Sequence, residues 1–470
     1  MELASNLDDD LFLKLVPEWG AGKVEKLRFL YQIGDLDRKR RIHKILSLSA
    51  KKLVNDSFLP TQVLLPPSTR EECYGNGEVY LGEVCYGRTP ANDDRILYPL
   101  YLDLEDIKNH LIITGLSGVG KTTLAYNVVI ELAKKKQNVI IFDWNRTWRN
   151  LLSLSETENP FVKDIRVYTI GRTLRPFVWN MLFSPPPNVS FANWLSIAAN
   201  KPLQKSLLAG QGVADYIENE AENLMFAYQK GILKLLPNID DIRKGVEKQF
   251  AQARQLLWKQ STERVTKELT RPSVSELFGS RSPINIAKDI LEKPGITIIE
   301  MDIETPEHIR VLFQELMLTY FMLYFLHKGE ASELRTAVVL EEFPNMLPKS
   351  SIEKKVGSDI IKTLFKEARK FGIGIVAIAQ ETSELPNYVL GNAKVQAHFA
   401  LQTKNDIDAS ANSLFLKPHQ IPFIDLIWRG KCIVKVKGRV QNCLVKTPPP
   451  PFKRAVSDEE LLEIHRKWQK

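Results

Sequence analysis

The sequence predicts an α/β fold with a mostly parallel sheet, interrupted by a helical insertion and joined to a helical N-terminal region. Three observations carry this. Strand and helix alternate over residues 109–149, the same alternation resumes at residue 291 and runs to 446, and long amphipathic stretches fill the interval. Such alternation marks a parallel sheet covered on both faces.

The elements follow in order. Residues 1–75 read as helical, with Leu11, Leu13, Leu15 and Val16 early and a basic run Arg38, Lys39, Arg40 and Arg41 followed by Lys44. Leu65-Pro-Pro-Ser68 ends that region, because proline fixes φ and removes a donor. A small β segment at 76–108 is expected from the glycine-bounded alternation Gly77 to Gly87 and the extended run Ile96 to Asp103. Leu111 to Thr114 is a short strand, Lys121 to Lys136 a helix, and Asn138 to Asp143 a second strand. Residues 150–290, with Pro185 to Pro187 and amphipathic runs at Tyr216 to Leu236 and Ile242 to Leu269, form the expected helical insertion. The core returns with strands at Ile296 to Met301, Ala337 to Leu340 and Ile373 to Ala379, separated by helices near Pro306 to Leu326 and Gly357 to Phe371. Val395 to Gln402, Cys432 to Val436 and Val440 to Val445 close the sheet, and residues 447–470 read as a tail opening on Pro448 to Pro451.

Composition excludes several classes. A 470-residue chain with 44% hydrophobic and 26% charged residues is an ordinary globular one, large enough for a core without staples. Its four cysteines, Cys73, Cys85, Cys432 and Cys443, form no C-x-x-C pair and fit a reducing interior. The acidic N-terminus lacks the basic start of a signal peptide, and the most apolar stretch, Leu316 to Leu326, is too short for a bilayer. A cytoplasmic protein with no membrane span is expected. The net charge of +8 permits a polyanionic partner without requiring one.

Gly115-Leu116-Ser117-Gly118-Val119-Gly120-Lys121-Thr122, followed by Thr123, matches G-x-x-x-x-G-K-[ST] at every required position. It stands between an apolar strand and an amphipathic helix, where the mechanism needs it. Glycines let successive N–H groups turn inward around phosphates, Lys121 brings a point charge to the β and γ groups, and Thr122 offers a hydroxyl to Mg²⁺. The expected ligands are therefore ATP and Mg²⁺.

Hydrolysis also needs acids near the metal and a group that orients water. Glu341-Glu342 ends the apolar strand Ala337 to Leu340, at the carboxyl edge where open α/β sheets bind ligands. Successive strand residues face opposite ways, so Glu341 is assigned to Mg²⁺ and Glu342 to the attacking water. Asp143, Glu300 and Asp302 end other strands singly and are weaker candidates; Asp143 is the one placed to line the pocket. Gln380 directly follows its strand. Its amide suits a γ-phosphate sensor, and it equally suits a plain polar strand end.

These blocks, Gly115 to Thr122, Val338 to Asn345 and above all Phe365-Lys-Glu-Ala-Arg369-Lys370-Phe371-Gly through Gln380 to Pro386, resemble the HerA/FtsK superfamily, most of all its archaeal HerA-like branch. The resemblance runs from about residue 77 to 445. It implies a RecA-like P-loop ATPase core, a homo-oligomer in the form of a hexameric ring, and double-stranded DNA threaded through it. It also implies that Arg369 acts as a finger completing a neighbour's active site. Taken without the resemblance, Arg369 is a cation in the last turn of a helix, complementing its dipole. Glu-Glu-Phe-Pro stands where many relatives carry Asp-Glu-Ala-His, and Glu381 stands where Arg or Gln often follows the sensor.

Candidate DNA contacts are Arg38, Lys39, Arg40 and Arg41, with Lys201 to Lys205 and Arg243 to Lys248 as equal alternatives. Three functions remain open at this point. One is an ATP-driven duplex DNA translocase, with a nuclease partner expected in repair or defence. The others are a soluble conjugation or type IV secretion ATPase, and a nucleotide-gated packaging or scaffolding subunit with little turnover.

Overall fold

The computed structural model describes residues 65–86, 95–348 and 360–468, apart from 66–67, 172–173, parts of 200–208, 251–255 and 453, together with parts of 12–46. One sheet of eleven strands organises them. In chain order these are β1 (Val79–Tyr86), β2 (Arg95–Leu102), β3 (Leu111–Thr114), β4 (Asn138–Asp143), β5 (Ile165–Ile170), β6 (Gly295–Met301), β7 (Thr336–Leu340), β8 (Ile373–Ala379), β9 (Val395–His398), β10 (Lys431–Val436) and β11 (Cys443–Lys446). Their spatial order is β2-β1-β11-β10-β9-β3-β8-β7-β4-β6-β5.

From β9 to β5 every pairing is parallel, and from β9 outward to β2 every pairing is antiparallel. The parallel strands are buried along their whole length, which explains their continuous apolar runs. Two apolar layers cover the two faces. One holds α1 (Lys121–Lys134) together with Trp148 and Leu151. The other holds α2 (Glu307–Lys328), α3 (Ile360–Glu367) and a lobe of helices at Phe191–Ala199, Gln211–Gln229, Ile239–Phe250, Leu256–Leu269 and Pro272–Phe278. Among the described residues α2 alone is long and apolar enough to cross a bilayer. It exceeds the stretch Leu316 to Leu326 and is mostly buried in the core. Two further helices, α4 (Lys404–Leu414) and α5 (Asp458–Trp468), complete the C-terminal part.

The structure corrects three expected boundaries. The segment at 76–108 is continuous with the main sheet, since β1 pairs with β11 at Glu83↔Lys446 and Val84↔Val445. Strand β5 falls inside the range 150–290 given to the helical insertion, yet pairs in parallel with β6 along its length. Its polar Arg166 masks the strand in the sequence. Inside the fold that guanidinium donates to Thr297 Oγ1 and to the carbonyls of Lys293 and Pro294. Third, the tail folds. In α5 and just before it, Leu461 and Val456 are buried, and Asp458 accepts from Arg146 Nη2 at 2.8 Å and from Arg149.

In the N-terminal region Phe12, Leu15, Val16, Val24, Ile42 and Leu46 form a small apolar cluster around the helix Ala21–Gln32. Arg38 and Arg41 are exposed and Lys39 is half-buried, while Leu11, Arg40 and Lys44 lie outside the described residues, as do Lys201 and Lys205.

Candidate functional site

Glycines at positive φ let the loop between β3 and α1 wrap. Gly115 has φ +145°, and a Cβ there would come within 2.5 Å of Phe399 Cβ. Gly120 has φ +120°, which an L side chain rarely adopts. The neighbouring strand braces the loop: Leu116 N–H donates to Ala400 O at 3.0 Å, and Phe399 N–H donates to Thr114 O at 2.8 Å. Lys121 is buried at the start of α1 and donates to the carbonyls of Gly115 at 2.6 Å and Leu116 at 2.8 Å. Burial lowers its pKa, opposed by the charges of Glu342 and Glu341. Its ammonium thus rests on the loop it is expected to serve.

A cavity of about 790 Å³ opens here, lined by residues 117–123 and by Asn145, Glu341, Glu342 and Gln380. The sheet order explains the meeting. Strand β8 lies between β3 and β7, so Gln380 stands between the phosphate loop and the paired acids. Its Nε2 donates to Glu342 Oε1 at 3.0 Å and Oε2 at 3.3 Å. Glu342 itself holds a left-handed backbone, φ 47° and ψ 44°, a strained conformation of the kind that gathers at functional sites.

Glu341 is buried, accepts from the N–H groups of Trp144 at 3.1 Å and Asn145 at 3.3 Å, and meets Asp143. Asp143 ends β4 fully buried and accepts from the N–H groups of Asn145, Thr147 and Trp148. Burial, then the facing Glu341 charge, pushes the Asp143 carboxyl well above the ordinary carboxylate range. Burial also raises Glu341. Glu341 lines the cavity with Thr122, and Asp143, itself outside the lining, is buried behind it; these two desolvated carboxyls are ones a hard divalent cation would relieve, so the residues fit Mg²⁺. Glu300 and Asp302 have other partners: Glu300 binds Arg149, and Asp302 lies 3.6 Å from Arg146.

Arg369 is exposed in the turn Ala368–Phe371, just before β8. Gln380 follows β8, so about 20 Å of strand separates the two and puts them at opposite edges of the sheet. Among the described residues no side-chain partner holds Arg369, whereas its neighbour Lys370 pairs with Glu367. The N-terminal basic residues Arg38, Lys39 and Arg41 do not line the cavity.

A buried polar chain behind the phosphate loop has no signature in the sequence. Thr382 Oγ1 donates to Thr114 Oγ1 at 2.9 Å, and Thr114 Oγ1 lies 3.0 Å from His398 Nδ1. The other ring nitrogen lies 3.2 Å from Gln396 Oε1. The chain ties the loop after Gln380 to the residue before Gly115. Burial, and secondarily the Lys435 charge, brings His398 down to about 3. Burial, then the Arg369 charge, brings His110 down to about 3. Both imidazoles are neutral in the native state, while the unfolded chain takes up protons below its ordinary value of 6.5. Stability is therefore full above pH 6.5 and is lost as pH falls toward 3, by about 2 kcal/mol per histidine at pH 5. Thermal melts of wild type and His398→Gln at pH 7 and pH 5 check this. The variant is expected to lose less on acidification, and parallel losses would contradict the argument.

Residues 79–317 match the family described as helicase HerA, central domain. Among curated proteins no relative matches. Among solved structures, VirB4 of Thermoanaerobacter pseudethanolicus superposes with a TM-score of 0.59 at 14% identity, over 79% of this chain and 97% of that one. The plasmid coupling protein TrwB in complex with ADP and Mg²⁺ gives 0.55 at 14% identity, over 77% and 90%. The unbound bacterial conjugative coupling protein TrwB gives 0.54 at 13% identity, over 76% and 90%. These likenesses establish the fold, a RecA-like P-loop ATPase core. With the family match spanning half of its length, the chain belongs to the HerA helicase central-domain family, within the HerA/FtsK superfamily of P-loop ATPases.

Proposed function

We propose that this protein is a cytoplasmic, ring-forming ATPase that hydrolyses ATP with Mg²⁺ to move double-stranded DNA, its working unit a hexamer. The observation that carries this is the Gln380 amide on the Glu342 carboxylate at the rim of the phosphate-loop cavity. Lys121 and the loop N–H groups bind the β and γ phosphates, and Thr122 and Glu341, backed by Asp143, would hold Mg²⁺. A bound Mg²⁺ supplies charge that offsets negative charge developing on the phosphate oxygens. Glu342 takes the proton of the attacking water, and Gln380 orients both Glu342 and that water. Arg369 serves the neighbouring subunit, since it cannot reach the site at the other edge of its own sheet.

A soluble conjugation or type IV secretion ATPase is the second reading, favoured by the shared fold with VirB4 and TrwB. ATPase rates with duplex DNA, single strands and RNA at fixed salt separate the two. Duplex DNA is expected to stimulate turnover, with log affinity falling linearly in log salt as phosphates are neutralised. Turnover indifferent to every nucleic acid would favour the secretion-type motor.

A further inference from the structure

The cavity extends past the phosphate loop between two stretches that the phosphate chemistry leaves unused. The antiparallel pair β10 and β11 opens at this edge, with Lys431 opposite Lys446. The chain entering β10 carries Trp428, and the chain leaving β11 carries Pro448, Pro449 and Pro450; all four residues line the cavity. Hydrogen bonds fix both stretches to the phosphate loop. Gly430, at φ +79°, donates its N–H to Val119 O at 2.8 Å. Thr447 donates to Gly430 O, from its N–H at 2.8 Å and from Oγ1 at 3.0 Å.

Trp428 is 59% exposed, unlike the fully buried core residues Trp148, Trp179 and Trp194. A large planar ring left open to this cavity, with proline rings on the same cavity, suits a flat aromatic ligand. Base-on-aromatic stacking is tolerant of sequence because every base has a π face. Drug-sized ligands occupy cavities of about 300–1,000 Å³, and this one has room for a base and ribose beyond the triphosphate.

We propose that Trp428 and the Pro448–Pro450 segment form the slot for the nucleotide's purine base, with Trp428 as the stacking residue. This rests on the nucleotide-binding reading of the phosphate loop, and it gives the C-terminal proline run a role in substrate affinity.

Calorimetric titration with ATP and with inorganic tripolyphosphate, both in Mg²⁺, tests it on the full chain. Trp428→Ala is expected to bind ATP about five- to 150-fold more weakly and tripolyphosphate as wild type does. Trp428→Tyr, which keeps an aromatic face, should stay within about threefold of wild type for both ligands. Because Trp428 is exposed, its replacement opens no core cavity. Trp428→Ala binding ATP with wild-type affinity, or losing both ligands equally, overturns the slot. Lys121→Ala is the separate control. If it loses both ligands while Trp428→Ala loses neither, only the base slot falls. If Lys121→Ala binds both as wild type does, the phosphate site falls and the slot with it.

Discussion

Glu342→Gln is expected to bind ATP with wild-type affinity and to hydrolyse it about 10²–10⁴ times more slowly. The substitution keeps the shape and the acceptor for Gln380 Nε2 but removes the basic oxygen. Lys121→Ala, by contrast, removes the buried cation of the phosphate loop and should lose binding and turnover together. The difference follows from position. Lys121 lies under the loop, in contact with its carbonyls, while Glu342 stands on the rim in a strained left-handed turn. Calorimetry beside single-turnover hydrolysis separates affinity from chemistry. Equal loss of affinity in both variants would make Glu342 a structural acid.

Arg369→Ala should lower turnover by about 10³–10⁵, the range found when a guanidinium that stabilises charge on a transferring phosphoryl group is removed. The variant should nonetheless fold, since among the described residues no side-chain partner depends on that guanidinium. Its placement before β8 keeps it from its own cavity, so the loss should be complemented in trans. Mixing Arg369→Ala with Lys121→Ala subunits creates interfaces that pair an intact loop with an intact arginine, and partial recovery of ATPase activity is expected. A mixture that recovers nothing, or full activity in subunits diluted to monomers, would remove Arg369 from the active site.

Much of this site could be read in advance because its chemistry is local in sequence. Glycines, lysine and threonine within eight positions mark a phosphate loop, and a doublet of acids after an apolar strand marks a strand end that lines the same cavity. The meeting of Gln380 with Glu342 was less legible. It depends on β8 lying between β3 and β7, an order that strand sequences do not encode separately. Asp143 does not stand out in the sequence, because a lone acid at a strand end resembles a solvated one and its burial against Glu341 is a tertiary fact. Thr114, Thr382 and His398 leave no local pattern because their hydrogen bonds join residues 268 and 284 positions apart. The C-terminal proline run read as a tail because the register that folds it over the phosphate loop, Lys431 with Lys446, is a tertiary fact. In the fold, the apolar strands of the parallel half were plain, whereas β5 was hidden by Arg166, whose partners are backbone carbonyls distant in sequence.

Displacement of a third strand from a DNA triplex tests the motor most directly. A triplex-forming oligonucleotide is annealed at one end of a duplex, the protein is loaded at the other, and release is followed after adding ATP. ATP-dependent release is expected, after a lag that grows with the length of intervening duplex, and no release with Glu342→Gln or Arg369→Ala. Duplex-stimulated ATP hydrolysis by the wild-type protein that leaves the third strand in place at every length would contradict it.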